Sequence, residues 1–297
     1  MAENIGWELY RTFLAVLQEG SLSGAARSLG ITQPTAGRHI EALEHALSVS
    51  LFTRSQLGLQ ATDVALALRA HAEAMQSTAA ALERAASGHA KGAGVKGVVR
   101  VSASEVVGVE VLPPIIAALR EAHPQLVVEL ALSNRVQDLL LREADIAVRM
   151  MRPTQAQLVA RRVGRIEVGL HARRDYLDKH GTPRNAKALW EHAVIGYDKP
   201  SPFLRGASKT LPGFTREAFA LRADSDLAQL ALIRAGAGIG FCQVALGRRD
   251  ALMRVLPKTF AFQLETWVTM HEDLRASPRC RATFDALAEG LERYARL

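Results

Sequence analysis

Four polar side chains cluster at the start of a predicted helix and could read the edges of DNA base pairs. Gln33, Thr35, Arg38 and His39 fall on the predicted exposed face of a helix that begins after Thr32. Glutamine can pair with adenine, arginine with guanine or phosphate, and threonine with the thymine methyl group. A helix that carries these types at its start fits the major groove. An ordinary solvated helical hairpin can have the same pattern, so the flanking elements are needed to distinguish it from a DNA-reading helix.

The chain around this helix has the capping residues expected of two short helices joined by a tight turn. Ser21 is a suitable N-cap for the first helix, and Gly30 supplies the left-handed residue that ends it. Thr32 caps the second helix, whose first turn tolerates Pro34 because no backbone N–H is needed there. The small pair Ala25–Ala26 allows the two helices to cross closely. These features predict a helix–turn–helix.

A larger set of residues within 13–65 matches the pattern of a known family. The matching residues are Ala25–Ala26, Gln33–Pro34, Arg38, Ile40, Leu43–Glu44, Leu51–Phe52–Thr53–Arg54 and Thr62. With them, the segment resembles the DNA-binding domain of LysR-type transcriptional regulators, a winged helix–turn–helix followed by a linker helix. The resemblance implies that a defined set of side chains contacts DNA, the last of them from the wing. They are Thr32, Gln33, Pro34, Thr35, Arg38 and Arg54.

Gly37 departs from the family pattern, which usually has serine at this position. Glycine lacks the hydroxyl contact to DNA and lowers helix stability by about 1 kcal/mol relative to alanine. We therefore expect a changed half-site preference and no loss of DNA binding.

The segment after the wing has a heptad pattern of apolar residues. Its apolar positions are Ala65, Leu68, Ala72, Met75, Ala79, Leu82 and Ala86. Alanine at every seventh residue predicts close pairing with a helix of a second chain, and packing against the chain's own effector domain is the alternative. Linker helices of the LysR family pair in this way, antiparallel across a dimer. The glycine-rich stretch "SGHAKGAGVKG" that follows predicts a flexible hinge.

From residue 98 onward, predicted strands alternate with predicted helices, which indicates a parallel α/β sheet. A second set of strands and helices starts near Val163, and the chain crosses back near "ETWVTM". This half resembles the two-lobed LysR effector-binding domain of periplasmic-binding-protein type, through "READIAVR" and the Gly-x-Gly-Ile-Gly stretch. The predicted fold class is α/β, with an N-terminal winged helix–turn–helix, a long linker helix and a two-lobed effector domain. The expected boundaries are 4–62 for DNA binding, 63–90 for the linker helix and hinge, and 91–297 for the effector domain, with lobe I about 96–163 and 268–297 and lobe II about 164–267.

Polar residues follow several predicted strands, where open α/β sheets bind their ligands. The candidate effector-binding residues are Ser102, Ser104, Glu105, Ser133, Asn134, Arg149, Tyr197 and Gln243. Arg149 is the strongest of them, because a charge at the end of an apolar strand needs a partner. It suits a small carboxylate, to which Glu105 could add a site for an ammonium group; if Glu105 instead points to solvent or pairs with an arginine, a plain organic or aromatic acid is expected. For each of these residues alone, a surface cap or an ion-pair partner is the competing interpretation.

The remaining sequence features narrow the class of protein. No apolar run is long enough to span a membrane, and Cys242 and Cys280 fit reduced thiols in the cytoplasm. The net charge is +7, but residues 1–90 hold six arginines and eight acidic residues, so bulk charge does not carry the DNA interpretation. No cofactor, metal or catalytic motif is present, which predicts a protein that is not an enzyme.

The sequence therefore predicts a sequence-specific transcriptional regulator controlled by a small-molecule effector. Its expected partners are double-stranded DNA, the effector and copies of itself in a homodimer or homotetramer, with RNA polymerase as a further candidate. The rival class is a ligand-binding protein whose helical adaptor does not regulate transcription.

Overall fold

A computed structural model describes residues 5–55, 58–87, 94–134, 144–153, 157–199 and 213–297. The chain forms two compact units, a helical unit up to Ala86 and a larger mixed unit from Ser87 onward. The helix predicted over "RVQDLLLREA" lies, except for its last residue, outside the described residues.

The helical unit begins with α1 (Trp7–Glu19), α2 (Leu22–Leu29) and α3 (Gln33–Leu47). The hydroxyl oxygen of Ser21 accepts a hydrogen bond from the backbone N–H of Gly24 at 3.1 Å. The hydroxyl oxygen of Thr32 accepts one from the backbone N–H of Thr35 at 3.3 Å. Gly30 ends α2 with a φ of +67°, a conformation that favours glycine. The predicted caps of the helix–turn–helix are confirmed.

Two short antiparallel strands, β1 (Phe52–Ser55) and β2 (Gly58–Ala61), follow α3 and form the wing. Glu44 in α3 fixes the start of this wing. Its Oε1 accepts hydrogen bonds from the backbone N–H groups of Leu51 at 2.6 Å and Phe52 at 3.1 Å. The glutamate of the Leu–Glu pair therefore holds the backbone that leads into the wing.

The long helix α4 (Asp63–Ser87) is preceded by Thr62, whose hydroxyl donates to the backbone oxygen of Ser50 and accepts from the N–H of Ala65. One apolar core joins the helices of this unit. Its buried residues are Phe13, Leu14, Ala15, Val16, Ala25, Ile40, Leu43, Leu51, Ala65 and Ala72. The first two turns of α4 and the turn around Ala72 thus belong to the core of the helical unit.

The mixed unit contains nine strands and seven α-helices among its described residues. In chain order they are β3 (Gly97–Ala103), α5 (Glu105–Glu110), α6 (Leu112–Ala122), β4 (Leu126–Leu132), β5 (Ile146–Arg149), β6 (Leu158–Ala172), α7 (Arg174–His180), α8 (Ala186–Leu189), β7 (Ile195–Gly196), β8 (Leu221–Arg222), α9 (Asp226–Arg234), β9 (Gly240–Gln243), α10 (Val244–Arg249), β10 (Met253–Val255), β11 (Ala261–His271) and α11 (Pro278–Tyr294). Two 3₁₀ turns, Arg216–Ala218 and Glu272–Leu274, add to these.

The main sheet has the strand order β10-β6-β11-β5-β3-β4, and β9 also pairs with β6. β3 is parallel to β4 and β5, whereas β6 is antiparallel to β9, β10 and β11, and β11 is antiparallel to β5. The prediction of a parallel sheet is therefore wrong for the part of the sheet that contains β6, β9, β10 and β11. The reason is that β6 and β11 run side by side in opposite directions.

The two largest apolar cores of the mixed unit lie along these long strands. The first packs α6 and α11 on β3, β5 and one end of β6 and β11, with Leu112, Ile146 and Leu287 fully buried. The second surrounds the other end of β6 and includes Leu170 and Phe214. A register shift at Thr266/Trp267 in β11 lies between the two ends. We call the halves around these cores lobe I and lobe II.

The glycine-rich stretch after α9 is a turn into β9, as its position after a helix predicts. Gly236 has a φ of +77°, which favours glycine. A Cβ atom on Gly238 would lie 2.1 Å from the backbone oxygen of Ala193, so the two backbones approach too closely for a side chain. This stretch has a packing role and does not follow a strand as a dinucleotide loop would.

Candidate DNA-binding surface and effector cleft

The N-terminal turns of α3 carry a connected polar surface. Thr32, Gln33, Pro34 and Arg38 are exposed, and Thr35 is half-buried. The hydroxyl oxygens of Thr32 and Thr35 lie 2.8 Å apart, and Nη2 of Arg38 lies 3.4 Å from the Thr35 hydroxyl oxygen. Side chains of these types are among those that hydrogen-bond to base edges and phosphates in protein–DNA complexes.

His39 does not belong to this surface, which corrects the sequence-based prediction. Its Nδ1 forms a 2.8 Å hydrogen bond with the hydroxyl of Thr12, and Thr12 is buried in α1. The imidazole therefore joins α3 to α1. Position in the helix alone did not reveal this, because His39 lies at the border between the buried and exposed faces.

Gly37 has room for a side chain. A Cβ atom built there would meet only Cδ1 of Leu22, at 3.9 Å, which is ordinary van der Waals contact. Packing within the helical unit therefore does not require glycine at this position.

Arg54 lies on β1, where its backbone pairs with that of Leu59 on β2. The wing is thus formed as the resemblance implies. The side chain of Arg54 lies outside the described part of the structure, so its contact with DNA stays a prediction.

The apolar face of α4 divides into two parts, which corrects the predicted helix-pairing seam. Ala65 and Ala72 are buried in the core of their own helical unit, at 0% and 3% exposure. Met75 and Leu82 are exposed, at 41% and 69%. The alanine positions near the start of α4 are therefore unavailable to a second chain, and the larger apolar side chains further along α4 remain accessible.

A cleft of about 340 Å³ opens between lobes I and II of the mixed unit. Six of the eight candidate effector-binding residues line it: Ser104, Ser133, Asn134, Arg149, Tyr197 and Gln243. Most of the other lining residues are apolar. They are Val106, Met150, Met151, Val168, Ile195, Phe214, Leu230, Phe241, Cys242, Leu246, Phe262 and Leu264. A cleft of this size and lining suits a small molecule with an apolar body.

Ser102 does not line the cleft, and this corrects another prediction. It is fully buried, and its hydroxyl oxygen accepts a 2.7 Å hydrogen bond from Nη2 of Arg149. Nη1 of Arg149 donates to the backbone oxygen of Val148 at 2.9 Å. Ser102 therefore positions the guanidinium group that reaches the cleft.

Glu105, another candidate effector-binding residue, is not among the residues that line the cleft. Its Oε2 accepts a 3.0 Å hydrogen bond from the hydroxyl of Ser225, across from lobe I to lobe II. Its backbone N–H donates to Oδ1 of Asn134 at 3.1 Å. Glu105 thus holds Asn134 in position and connects the two lobes beside the cleft.

Asp226 is the acidic residue that does line the cleft, and the sequence-based prediction missed it. Tyr197 donates its hydroxyl to Oδ1 of Asp226 at 2.6 Å, and Nδ2 of Asn134 donates to Oδ2 at 3.0 Å. Burial, and next the charge of Glu105, raise the pKa of Asp226 above its usual value despite these hydrogen bonds. Burial and the charge of Asp226 in turn raise the pKa of Tyr197, which stays neutral. A carboxylate at the first position of a helix is common for capping reasons, so the sequence gave no indication that Asp226 lies in the cleft.

Gln243 and Cys242 complete the floor of the cleft from β9. Oε1 of Gln243 accepts a 2.7 Å hydrogen bond from the hydroxyl of Tyr294 in α11. Burial raises the pKa of the Cys242 thiol to about 12, so this thiol is neutral at physiological pH. The cleft therefore offers hydrogen-bonding and charged groups but no activated thiol.

Among the described residues, no group of histidine, cysteine and acidic side chains has the geometry of a metal site. No described helix is long and apolar enough to cross a membrane.

Two family models match the chain. The model of the bacterial regulatory helix-turn-helix protein, lysR family, matches residues 7–66, and that of the LysR substrate binding domain matches residues 92–292. Because the second match alone covers more than half of the chain, the chain belongs to the LysR family. This family consists of transcriptional regulators and not enzymes, which agrees with the sequence-based prediction.

Curated relatives are described as HTH-type transcriptional regulators. The probable HTH-type transcriptional regulator LtrA of Klebsiella pneumoniae is 26% identical over 93% of this chain and 92% of its own length. The HTH-type transcriptional regulator CrgA of Neisseria meningitidis serogroup C is 30% identical, with 63% of this chain and 62% of that protein covered. A regulator of Xanthomonas campestris is 27% identical over 63% of this chain, and the match spans only 54% of that relative's length.

Solved structures share the fold. CrgA from Neisseria meningitidis, a LysR-type transcriptional regulator, is 24% identical over 96% of this chain and 98% of its own, with a TM-score of 0.58. Full-length CbnR in complex with its target DNA is 20% identical over 97% and 99%, with a TM-score of 0.62.

Proposed function

We propose that this chain binds specific DNA sequences through α3 and the wing, and that a small carboxylate bound in the cleft controls this binding. Residues 4–62 form the DNA-binding domain, residues 63–90 the linker helix and hinge, and residues 91–297 the effector domain. A regulator of this kind acts in the cytoplasm, where its DNA is accessible.

The observation that carries the DNA proposal is the exposed, hydrogen-bonded surface of Thr32, Thr35 and Arg38 on a capped helix. Gln33 and Pro34 extend this surface, and Arg54 adds a contact from the wing. Membership of a family of helix–turn–helix regulators supports the same role. Residues 1–90 carry few cations, so few phosphates can be neutralised and the salt dependence of binding should be shallow.

The chain acts as a homodimer or homotetramer. Support comes from Met75 and Leu82, seven residues apart on one face of α4 and exposed in the single chain. Apolar side chains at this spacing favour helix pairing. Two linked DNA-binding domains then contact two half-sites.

The carboxylate proposal rests on Arg149. Its guanidinium group lines a largely apolar cleft and is oriented by Ser102 and Val148, and a guanidinium in such surroundings is a good partner for a carboxylate. Ser104, Ser133 and Gln243 provide further polar groups around the same space.

A gel-shift titration with the DNA upstream of the protein's own coding region tests the proposal. We expect a discrete complex that survives competitor DNA and whose midpoint shifts when a binding carboxylate is added. Binding that competitor DNA of unrelated sequence removes completely would contradict sequence-specific recognition and would favour a ligand-binding protein that does not regulate transcription.

A further inference from the structure

Two opposite charges line the same cleft from opposite lobes. Arg149 ends β5 in lobe I, and Asp226 begins α9 in lobe II. The space around them is bounded mainly by apolar side chains, among them Phe241 and Phe262. In such surroundings, charged groups interact more strongly with a ligand than they do in water.

Asp226 has hydrogen-bond donors around it but no cationic partner among the described residues. Tyr197 and Asn134 each donate one hydrogen bond to it, and both donors are neutral. Each carboxylate oxygen can accept more than one hydrogen bond, so acceptor capacity remains on both. Within the described part of the chain, the charge of Asp226 is therefore hydrogen-bonded but has no cation beside it to balance it.

The neighbourhood of Asp226 adds further negative charge. Glu105 lies close enough to raise the pKa of Asp226, although burial contributes more, and the charges of both Asp226 and Glu105 raise that of Tyr197. The hydroxyl of Ser225, the residue before Asp226, is 3.0 Å from Oε2 of Glu105. A cation placed beside Asp226 would lower the electrostatic energy of this group of acids.

We propose that the effector is an amino carboxylate. Its ammonium group binds Asp226, its carboxylate binds Arg149, and its apolar body packs against Phe241 and Phe262. This inference rests on the proposed function, since it assumes that the cleft holds a carboxylate. It replaces the ammonium site expected at Glu105 with Asp226. Tyr197 and Asn134 act as positioning residues that hold the Asp226 carboxylate toward the cleft.

Calorimetric titration of the full chain with matched probes tests this assignment. Each amino carboxylate is paired with its des-amino counterpart: leucine with 4-methylpentanoate, phenylalanine with 3-phenylpropanoate and 6-aminohexanoate with hexanoate. We expect at least one amino carboxylate to bind ten or more times as tightly as its counterpart. Asp226→Asn should reduce this affinity to that of the counterpart and leave the counterpart's own affinity within about twofold.

Two variants serve as references. Asp224→Asn removes the same charge two residues away, at a side chain that does not line the cleft, and should retain the preference for the amino carboxylate. Arg149→Ala should weaken both members of each pair.

The possible failures are distinguishable. If the des-amino acids bind as tightly as the amino acids, or if Asp226→Asn weakens both members of a pair equally, Asp226 has only a structural role and the inference is wrong while the carboxylate proposal stands. If neither the amino carboxylates nor their des-amino counterparts bind, both the inference and the carboxylate proposal are wrong for these classes of compound.

Discussion

Nη2 of Arg149 lies 2.7 Å from the buried hydroxyl oxygen of Ser102, 47 residues earlier in the chain. Parallel pairing of β3 with β5 brings these two residues together. The hydrogen bond fixes a guanidinium group at the wall of the cleft, so buried Ser102 sets the geometry of the residue proposed to bind the carboxylate.

Ser102→Ala should therefore weaken carboxylate binding without disrupting the fold. Loss of one hydrogen bond to a charged group corresponds to about 1.5–3 kcal/mol, part of which appears as reduced affinity. Calorimetry with a carboxylate that binds the wild type measures the change. Ser102→Cys, which keeps the volume but only a weak acceptor, should behave like the alanine variant. Wild-type affinity in both variants would show that Arg149 is oriented by other contacts.

Gly37→Ala should stabilise the helical unit by about 1 kcal/mol, because alanine has the higher helix propensity and its Cβ meets nothing closer than 3.9 Å. Urea unfolding can report on this unit alone through Trp7, if Trp190 and Trp267 are replaced by phenylalanine. A lower unfolding midpoint for Gly37→Ala than for this background protein would show that glycine is needed at the position.

Ala72→Glu and Leu82→Glu should have different effects, although both place a carboxylate on α4. Ala72 is 3% exposed within its own core, so a charge there should unfold the helical unit. Leu82 is 69% exposed, so its variant should keep the wild-type unfolding midpoint and weaken the assembly of chains. Sedimentation velocity and urea unfolding together separate these results. An unchanged sedimentation coefficient for Leu82→Glu would remove this face of α4 from the interface.

Acid should weaken the contact between the lobes through Glu110. Glu110 forms ion pairs with Arg234 and Arg249 of lobe II, and its hydrogen bond with Arg234 is the main cause of a pKa lowered to about 2. In the unfolded chain this pKa is about 4.3. The stabilisation is thus complete above about pH 4.3 and is lost as the pH falls toward 2.

In Glu110→Gln, the melting temperature should be lower than that of the wild type at pH 6, and the difference should shrink between pH 5 and pH 3. Asp273→Asn, at an exposed side chain beside His271 and away from the Glu110 ion pairs, is a suitable reference for loss of one acid. A constant difference across this pH range would show that the charge of Glu110 does not stabilise the fold.

The helix–turn–helix could be predicted because its signals are local. Ser21, Gly30 and Thr32 each act on residues three or four positions away, and the structure has all three caps. The cleft could be predicted only in part, since strand ends identify Ser104 and Arg149 but not their partners. Asp226 binds Asn134 across 92 residues, and nothing in its own neighbourhood indicates that contact. The mixed sheet was missed for the same reason, because strand direction depends on how distant segments pair.

The affinity of Arg38→Ala for the operator tests the central claim most directly, with Arg11→Ala as the reference. Both side chains are exposed on the helical unit, and both variants lose one positive charge, but only Arg38 belongs to the surface at the start of α3. We predict that Arg38→Ala loses about 1–3 kcal/mol of binding free energy and discriminates less at one base position. Arg11→Ala should bind as the wild type does. Equal affinities for the two variants, with sequence preference intact in both, would contradict the assignment of α3 as the helix that reads DNA.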